Sequence, residues 1–125
     1  MPDFVIVTTT TDDRAIADAI AQAAVQGGEA ACARIGSAES VYRWQGELCR
    51  TPEFVVELKT TAAAADRVRR TIARLHNYEL PEVLVLPVLD GSADYLAWLR
   101  DQVAAGERRD SGGPAPDSGP ESSIG

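Results

Sequence analysis

Cysteine and histidine are scarce in this 125-residue chain, which holds two cysteines, Cys32 and Cys49, and one histidine, His76. Two cysteines cannot build the disulfide framework of a small secreted fold. There is no Cys-x-x-Cys and no His-x-x-x-His, so no local spacing describes a preformed metal site. Long hydrophobic runs are also missing, and nothing approaches the roughly 18 apolar residues of a membrane helix. Met1-Pro2-Asp3 provides no basic region ahead of the short run Phe4–Val7, which argues against a secretion signal. No membrane association and a cytoplasmic location are therefore expected. Positive charge is in deficit: 12 Lys and Arg stand against 19 Asp and Glu, a net charge of −7. A protein that reads phosphate backbones needs a basic surface, so nucleic acid is not an expected partner. With one histidine and no Gly-x-Ser-x-Gly, hydrolase chemistry lacks its parts, and no enzyme activity is expected.

What is present is one domain with a tail. About 45% of residues are apolar and 25% charged, the balance of an ordinary globular domain. Residues 106–125 are Gly, Pro or Ser at 12 of 20 positions and contain one large aliphatic, Ile124. Such a segment cannot offset its ordering entropy by burial, so it reads as a disordered tail behind a folded body of residues 1–105. Within the body, Phe4-Val5-Ile6-Val7 reads as a strand central in a sheet. Ile16, Ile20 and Ala23/Ala24 follow at helical spacing, with Thr11 or Asp12 as N-cap and Gly27-Gly28 as the stop. A second helix carries Ala65, Val68, Ile72 and Leu75, capped by Thr60 or Thr61. A third begins after Asp90-Gly91-Ser92 with Tyr95, Leu96, Leu99 and Val103 on one face. Between them, Val83–Val88 is a strand in which Pro87, lacking an N–H, requires an edge position or a bulge.

The segment from Ala30 to Lys59 has one compact turn signal, Gln45-Gly46, flanked by Tyr42-Arg43-Trp44 and Glu47-Leu48. This predicts a two-residue hairpin whose paired positions sum to 91. Ala33 then faces Leu58 and Ile35 faces Val56, while Arg34 faces Glu57 on the opposite side. Gly36-Ser37 and Thr51-Pro52 are expected to bend or bulge the ladder midway. The order β-α-β-β-α-β plus a helix is α+β, a ferredoxin-like split βαβ with a long central hairpin and an extra C-terminal helix. Right-handed crossovers place the first two helices on one face and leave the other without a helix. Arms of about 15 residues span roughly 50 Å, far beyond the roughly 13 Å radius of gyration of a 100-residue domain. The tip, with Tyr42, Trp44 and Leu48, must project, and a projecting apolar arm calls for another chain to cover it.

Several stretches together resemble the CutA, or divalent-cation-tolerance, family. They are Val5-Ile6-Val7-Thr8, Ala30-Ala31-Cys32-Ala33-Arg34-Ile35, Tyr42-Arg43-Trp44-Gln45-Gly46, Lys59-Thr60-Thr61, His76-Asn77-Tyr78-Glu79-Leu80-Pro81-Glu82, Leu86-Pro87-Val88 and Tyr95-Leu96-Ala97-Trp98-Leu99. They stand in family order and cover residues 4–103. Two departures are Ala33-Arg34, where the family usually has Val-Asn, and Asn77, where it often has Pro. The resemblance implies a homotrimer built like PII signalling proteins, clefts between subunits, and association with copper or another divalent metal. It implies no organic cofactor.

The residues that could carry such chemistry are few. A thiolate and an imidazole suit Cu2+ or zinc, which makes Cys32 and His76 the candidate metal ligands. Cys32 reads equally as a small interface residue, and His76, ending the second helix, equally as a partner of that helix's C-terminal dipole. Tyr78 and Glu79, with Lys59, Trp44 and Trp98, are candidates for lining an inter-subunit cleft that receives a metal ion or a small polar ligand. Glu79 and Glu82 flank Pro81, which is expected to make their carboxylates diverge. Thr8–Thr11 reads as capping rather than as an anion site, because it lacks a Gly-rich loop and a Lys. Two functions follow as expectations: a homotrimeric copper-binding protein of metal tolerance, or a PII-like small-molecule sensor or scaffold.

Overall fold

A computed structural model describes residues 2–110. Four strands and three helices follow in the order β1 (Phe4–Thr11), α1 (Arg14–Gln26), β2 (Cys32–Trp44), β3 (Glu47–Thr61), α2 (Ala65–Leu75), β4 (Leu84–Val88) and α3 (Ala93–Asp110). The strands form one antiparallel-paired sheet in the order β2-β3-β1-β4. β1 and β2 are thus parallel across β3, and β3 and β4 parallel across β1, which is the split βαβ arrangement expected of this element order. β1 is central and carries four threonines at its end, a β-branched run that extends the strand past Val7 to Thr11. β4 is an edge strand, which accommodates Pro87 opposite Val5.

One sheet face presents Val5, Val7, Val56 and Leu58 to Ala17, Ile20 and Ala24 of α1 and to Val68 and Ile72 of α2. Ile20, Leu58 and Ile72 are completely buried, and each large aliphatic so buried contributes roughly 1.5–3 kcal/mol. The cap of α1 is Asp13, one residue later than expected, whose carboxylate accepts from the Ala15 N–H. Thr11 serves the same corner differently, its hydroxyl accepting from the Asp13 N–H. Gly27 ends the helix as expected. Thr61 caps the short 3-10 turn Ala62–Ala64 that leads into α2, while Thr60 donates to the Glu29 carbonyl.

The hairpin register runs without interruption from Cys32↔Lys59 to Trp44↔Glu47, every pair summing to 91. The expected bulge at Gly36 and Pro52 is not there. Pro52 stands opposite Glu39 beyond the end of β1, where no third strand requires its N–H. The turn has positive φ at both Gln45 (52°) and Gly46 (83°), the type I′ geometry that matches strand twist. β1 pairs with β3 only from Phe54 to Thr61. Residues 38–53 therefore form a two-stranded arm about 23 Å long, with Val41, Tyr42, Trp44 and Leu48 exposed along it.

One expectation needs correction. The second sheet face is not bare, because α3 returns across one end of it. Leu99 and Val103 bury against Phe4, with Val88, Tyr95 and Trp98 around them. Four large side chains on one helical stripe need an apolar partner, and the strand end at Phe4 is the one within reach. The α3 backbone runs to Asp110. The rest of the expected tail, residues 111–125, lies outside the described residues. Cys32 and Cys49 are both free.

Candidate functional site

The segment after α2 makes the site. α2 ends at His76, whose backbone turns extended (ψ 149°) while its N–H still bonds the Ile72 carbonyl. The imidazole lies against the end of β1. Its Nδ1 accepts from the Tyr78 N–H at 3.0 Å, so Nε2 carries the hydrogen and donates to the Thr10 carbonyl at 2.8 Å. Both ring nitrogens are thereby occupied in one neutral tautomer. Asn77 pins the same corner. Its amide donates to Asp12 at 3.0 Å and its carbonyl oxygen accepts from the Thr11 hydroxyl at 2.6 Å. A proline at this position could make neither bond.

These bonds aim Tyr78 at the base of the arm, where its hydroxyl donates to Glu53 Oε2 at 2.6 Å. Glu53 is only 6% exposed. The phenol's pKa is pushed well above the usual tyrosine range, first by burial and then by the Glu53 bond and charge. The arm and the segment from Asn77 to Glu82 enclose a groove of about 740 Å³. Tyr42, Trp44, Thr51 and Glu53 line it from the arm, Thr10 and Asp12 from the end of β1, and Tyr78, Glu79 and Glu82 from the segment. Glu79 and Glu82 both line this groove, although Pro81 between them was expected to part them. The lining includes four carboxylates and no Lys, Arg or His.

The expected cleft set divides in two. Tyr78, Glu79 and Trp44 meet at the groove. Lys59 and Trp98 stand at the other end of the sheet, because Lys59 pairs with Ile6 near the start of β1. There the Lys59 ammonium bonds the Tyr95 hydroxyl at 3.2 Å and lies 5.3 Å from its ring centroid. Trp98 packs on Tyr95 with centroids 5.5 Å apart. The two candidate metal ligands divide in the same way. Cys32 opens the outer edge strand, half-buried, beside a shallow depression of about 580 Å³ lined also by Asp18, Gln22 and Trp98. His76 contacts Thr10, which lies across from Val55 and then Gly36. Cys32 and His76 are thus roughly 13 Å apart along the strands and roughly 10 Å across them. Among the described residues no three His, Cys, Asp or Glu side chains are placed to hold a metal ion.

Sequence reasoning missed Glu53 altogether. The 91-sum register puts it opposite Ala38 on the face away from α1 and α2, but nothing local marks it as buried.

A family model described as CutA1 divalent ion tolerance protein matches residues 5–102. The divalent-cation tolerance protein CutA of Thermus thermophilus is 36% identical over 102 residues, 81% of this chain and 97% of its own length. That of Citrobacter koseri is 38% identical over 100 residues, 79% of this chain and 87% of its own. Among solved structures, CutA from Synechococcus elongatus superposes with a TM-score of 0.78 at 38% identity, covering 82% of this chain and 92% of that one.

Proposed function

This chain belongs to the CutA1 divalent ion tolerance family, and on that premise we propose that it is a cytoplasmic, non-enzymatic homotrimer that takes up a divalent metal ion, Cu2+ above all, in metal tolerance by sequestration or sensing. The observation that carries this reading is the separation of the donors. Cys32 is half-buried at the open edge strand and His76 sits at the far end of β1. Among the described residues of one chain neither meets a second soft ligand, so a closed site draws its ligands from more than one copy. Assembly is supported by the arm, whose exposed Val41, Tyr42, Trp44 and Leu48 are costly to leave in water. Cys32 enters the site as thiolate. His76 enters it by releasing one of its two ring bonds.

Calorimetric titration of the assembled protein with Cu2+ tests the assignment. Saturable, stoichiometric binding is expected, lost in Cys32→Ser and weakened in His76→Ala. Binding unaffected by both substitutions overturns it.

A second reading is favoured by the groove. A volume of about 740 Å³ lies within the range of small-molecule sites. On this reading the protein is a PII-like sensor or scaffold whose groove between the arm and the segment from Asn77 to Glu82 receives a small polar ligand.

A further inference from the structure

We propose that the groove is a site for a small organic cation, an alkyl diamine or polyamine, whose ammonium group pairs with Glu53. This rests on the second reading above and names its ligand class. The first observation is Glu53 itself, a carboxylate more than nine-tenths buried. Oε2 accepts the Tyr78 hydroxyl, and among the described residues no other hydrogen bond and no Lys or Arg ion pair is made by this carboxylate, whose oxygens are not among the buried atoms left without a partner. A carboxylate pairs more strongly with a cationic donor than with a neutral one, and one neutral phenol leaves that capacity open. Because Glu53 lines the groove, the compensating charge can come from a ligand.

The second observation is the wall chemistry. Tyr42, Trp44 and Tyr78 line the same groove, and the electron-rich faces of aromatic rings attract cations, alkylammonium groups included. Glu79 and Glu82 line the segment side, placing further negative charge where a second ammonium of an extended amine would lie. The third observation is size. No three acidic, cysteine or histidine side chains among the described residues converge on a point, so the lining is unsuited to a bare metal ion. A groove of about 740 Å³ instead suits a chain of several carbons. An anion such as a nucleotide is opposed by every charged group in the lining.

Calorimetry on the full chain at fixed ionic strength, with 1,5-diaminopentane and spermidine, tests this. Saturable binding of both is expected, and 1,5-pentanediol, of the same length without charge, gives none. Glu53→Gln weakens binding about tenfold, the loss of one charge-assisted contact. Glu79 is exposed, and among the described residues no hydrogen bond or ion pair of its side chain is found. Glu79→Gln weakens binding about threefold, as a surface pair would, with unchanged melting, and it carries the test alone should Glu53→Gln fail to fold. Absence of saturable amine binding overturns the proposal, as does magnesium chloride competing equally well with the diamine. Binding of ADP without binding of either amine overturns it too, while leaving the groove as a ligand site.

Discussion

The Tyr78 hydroxyl and Glu53 Oε2, 2.6 Å apart and 25 residues apart in sequence, join the segment after α2 to the base of the projecting arm. His76 holds Tyr78 from behind through Nδ1, with the two rings 4.9 Å apart. The groove's shape depends on this chain of contacts from Thr10 to the arm.

Tyr78→Phe removes the one hydrogen bond made to the Glu53 carboxylate among the described residues. An expected loss of about 1–3 kcal/mol follows from leaving that oxygen unsatisfied. Urea unfolding of Tyr78→Phe, Glu53→Gln and the double variant measures it. The double variant should cost less than the sum of the two, because both remove the same bond. An unchanged midpoint for Tyr78→Phe would show that the bond is not formed in solution.

The same phenol makes stability fall at alkaline pH. Burial and Glu53 raise its pKa in the folded protein above the ordinary 10.0. The unfolded chain therefore releases this proton first. The contribution is complete below about pH 10 and is lost as pH rises beyond it. Stability measured from about pH 9 to 11 should decline more steeply in the native sequence than in Tyr78→Phe. Equal slopes contradict the assignment.

His76 should be the neutral tautomer with hydrogen on Nε2, because Nδ1 accepts from the Tyr78 N–H and Nε2 donates to the Thr10 carbonyl. Nitrogen-15 spectra of the imidazole at neutral pH distinguish the tautomers. A signal from the Nδ1–H form would break the link between His76 and Tyr78.

Trp44→Ala should loosen assembly rather than soften a local loop. The arm beyond β1 has only its own two strands, and an isolated hairpin is marginal in water. Burying one large aromatic contributes about 2–3 kcal/mol per contact, repeated in each copy of a symmetric assembly. Light scattering at several protein concentrations should show dissociation of Trp44→Ala. Deletion of residues 111–125, rich in Gly, Pro and Ser, should change neither assembly nor melting. A Trp44→Ala protein that assembles and melts like the native one refutes the role of the arm.

Much of the fold is legible because its signals are local or periodic. The sum of 91 follows from one turn, Gln45-Gly46, and from alternation on either side of it. The edge position of β4 follows from the missing N–H of Pro87. The stripes of α1 and α2 follow from helical spacing. The site is less legible. Tyr78, Glu79 and Trp44 are brought together, but Lys59 and Trp98 belong to the opposite end. Both ends have aromatic and charged residues of the same kinds, so composition cannot sort one from the other. The return of α3 over Phe4 was likewise hidden, because an apolar stripe does not say which of two sheet faces it covers.

By itself, then, the sequence determined the elements, their order, the hairpin register and the need for the arm to project, since each rests on neighbouring residues or on a count of chain length. Only the tertiary structure decided which ionisable groups meet. Glu53 is buried because the segment from His76 to Glu82 crosses the base of the arm. Cys32 and His76 are parted because they lie at opposite ends of a sheet two strands apart. Such meetings depend on where a non-regular segment passes after its helix ends. That path is set by a few long-range hydrogen bonds, Asn77 to Asp12 and His76 to Thr10, which no local pattern encodes.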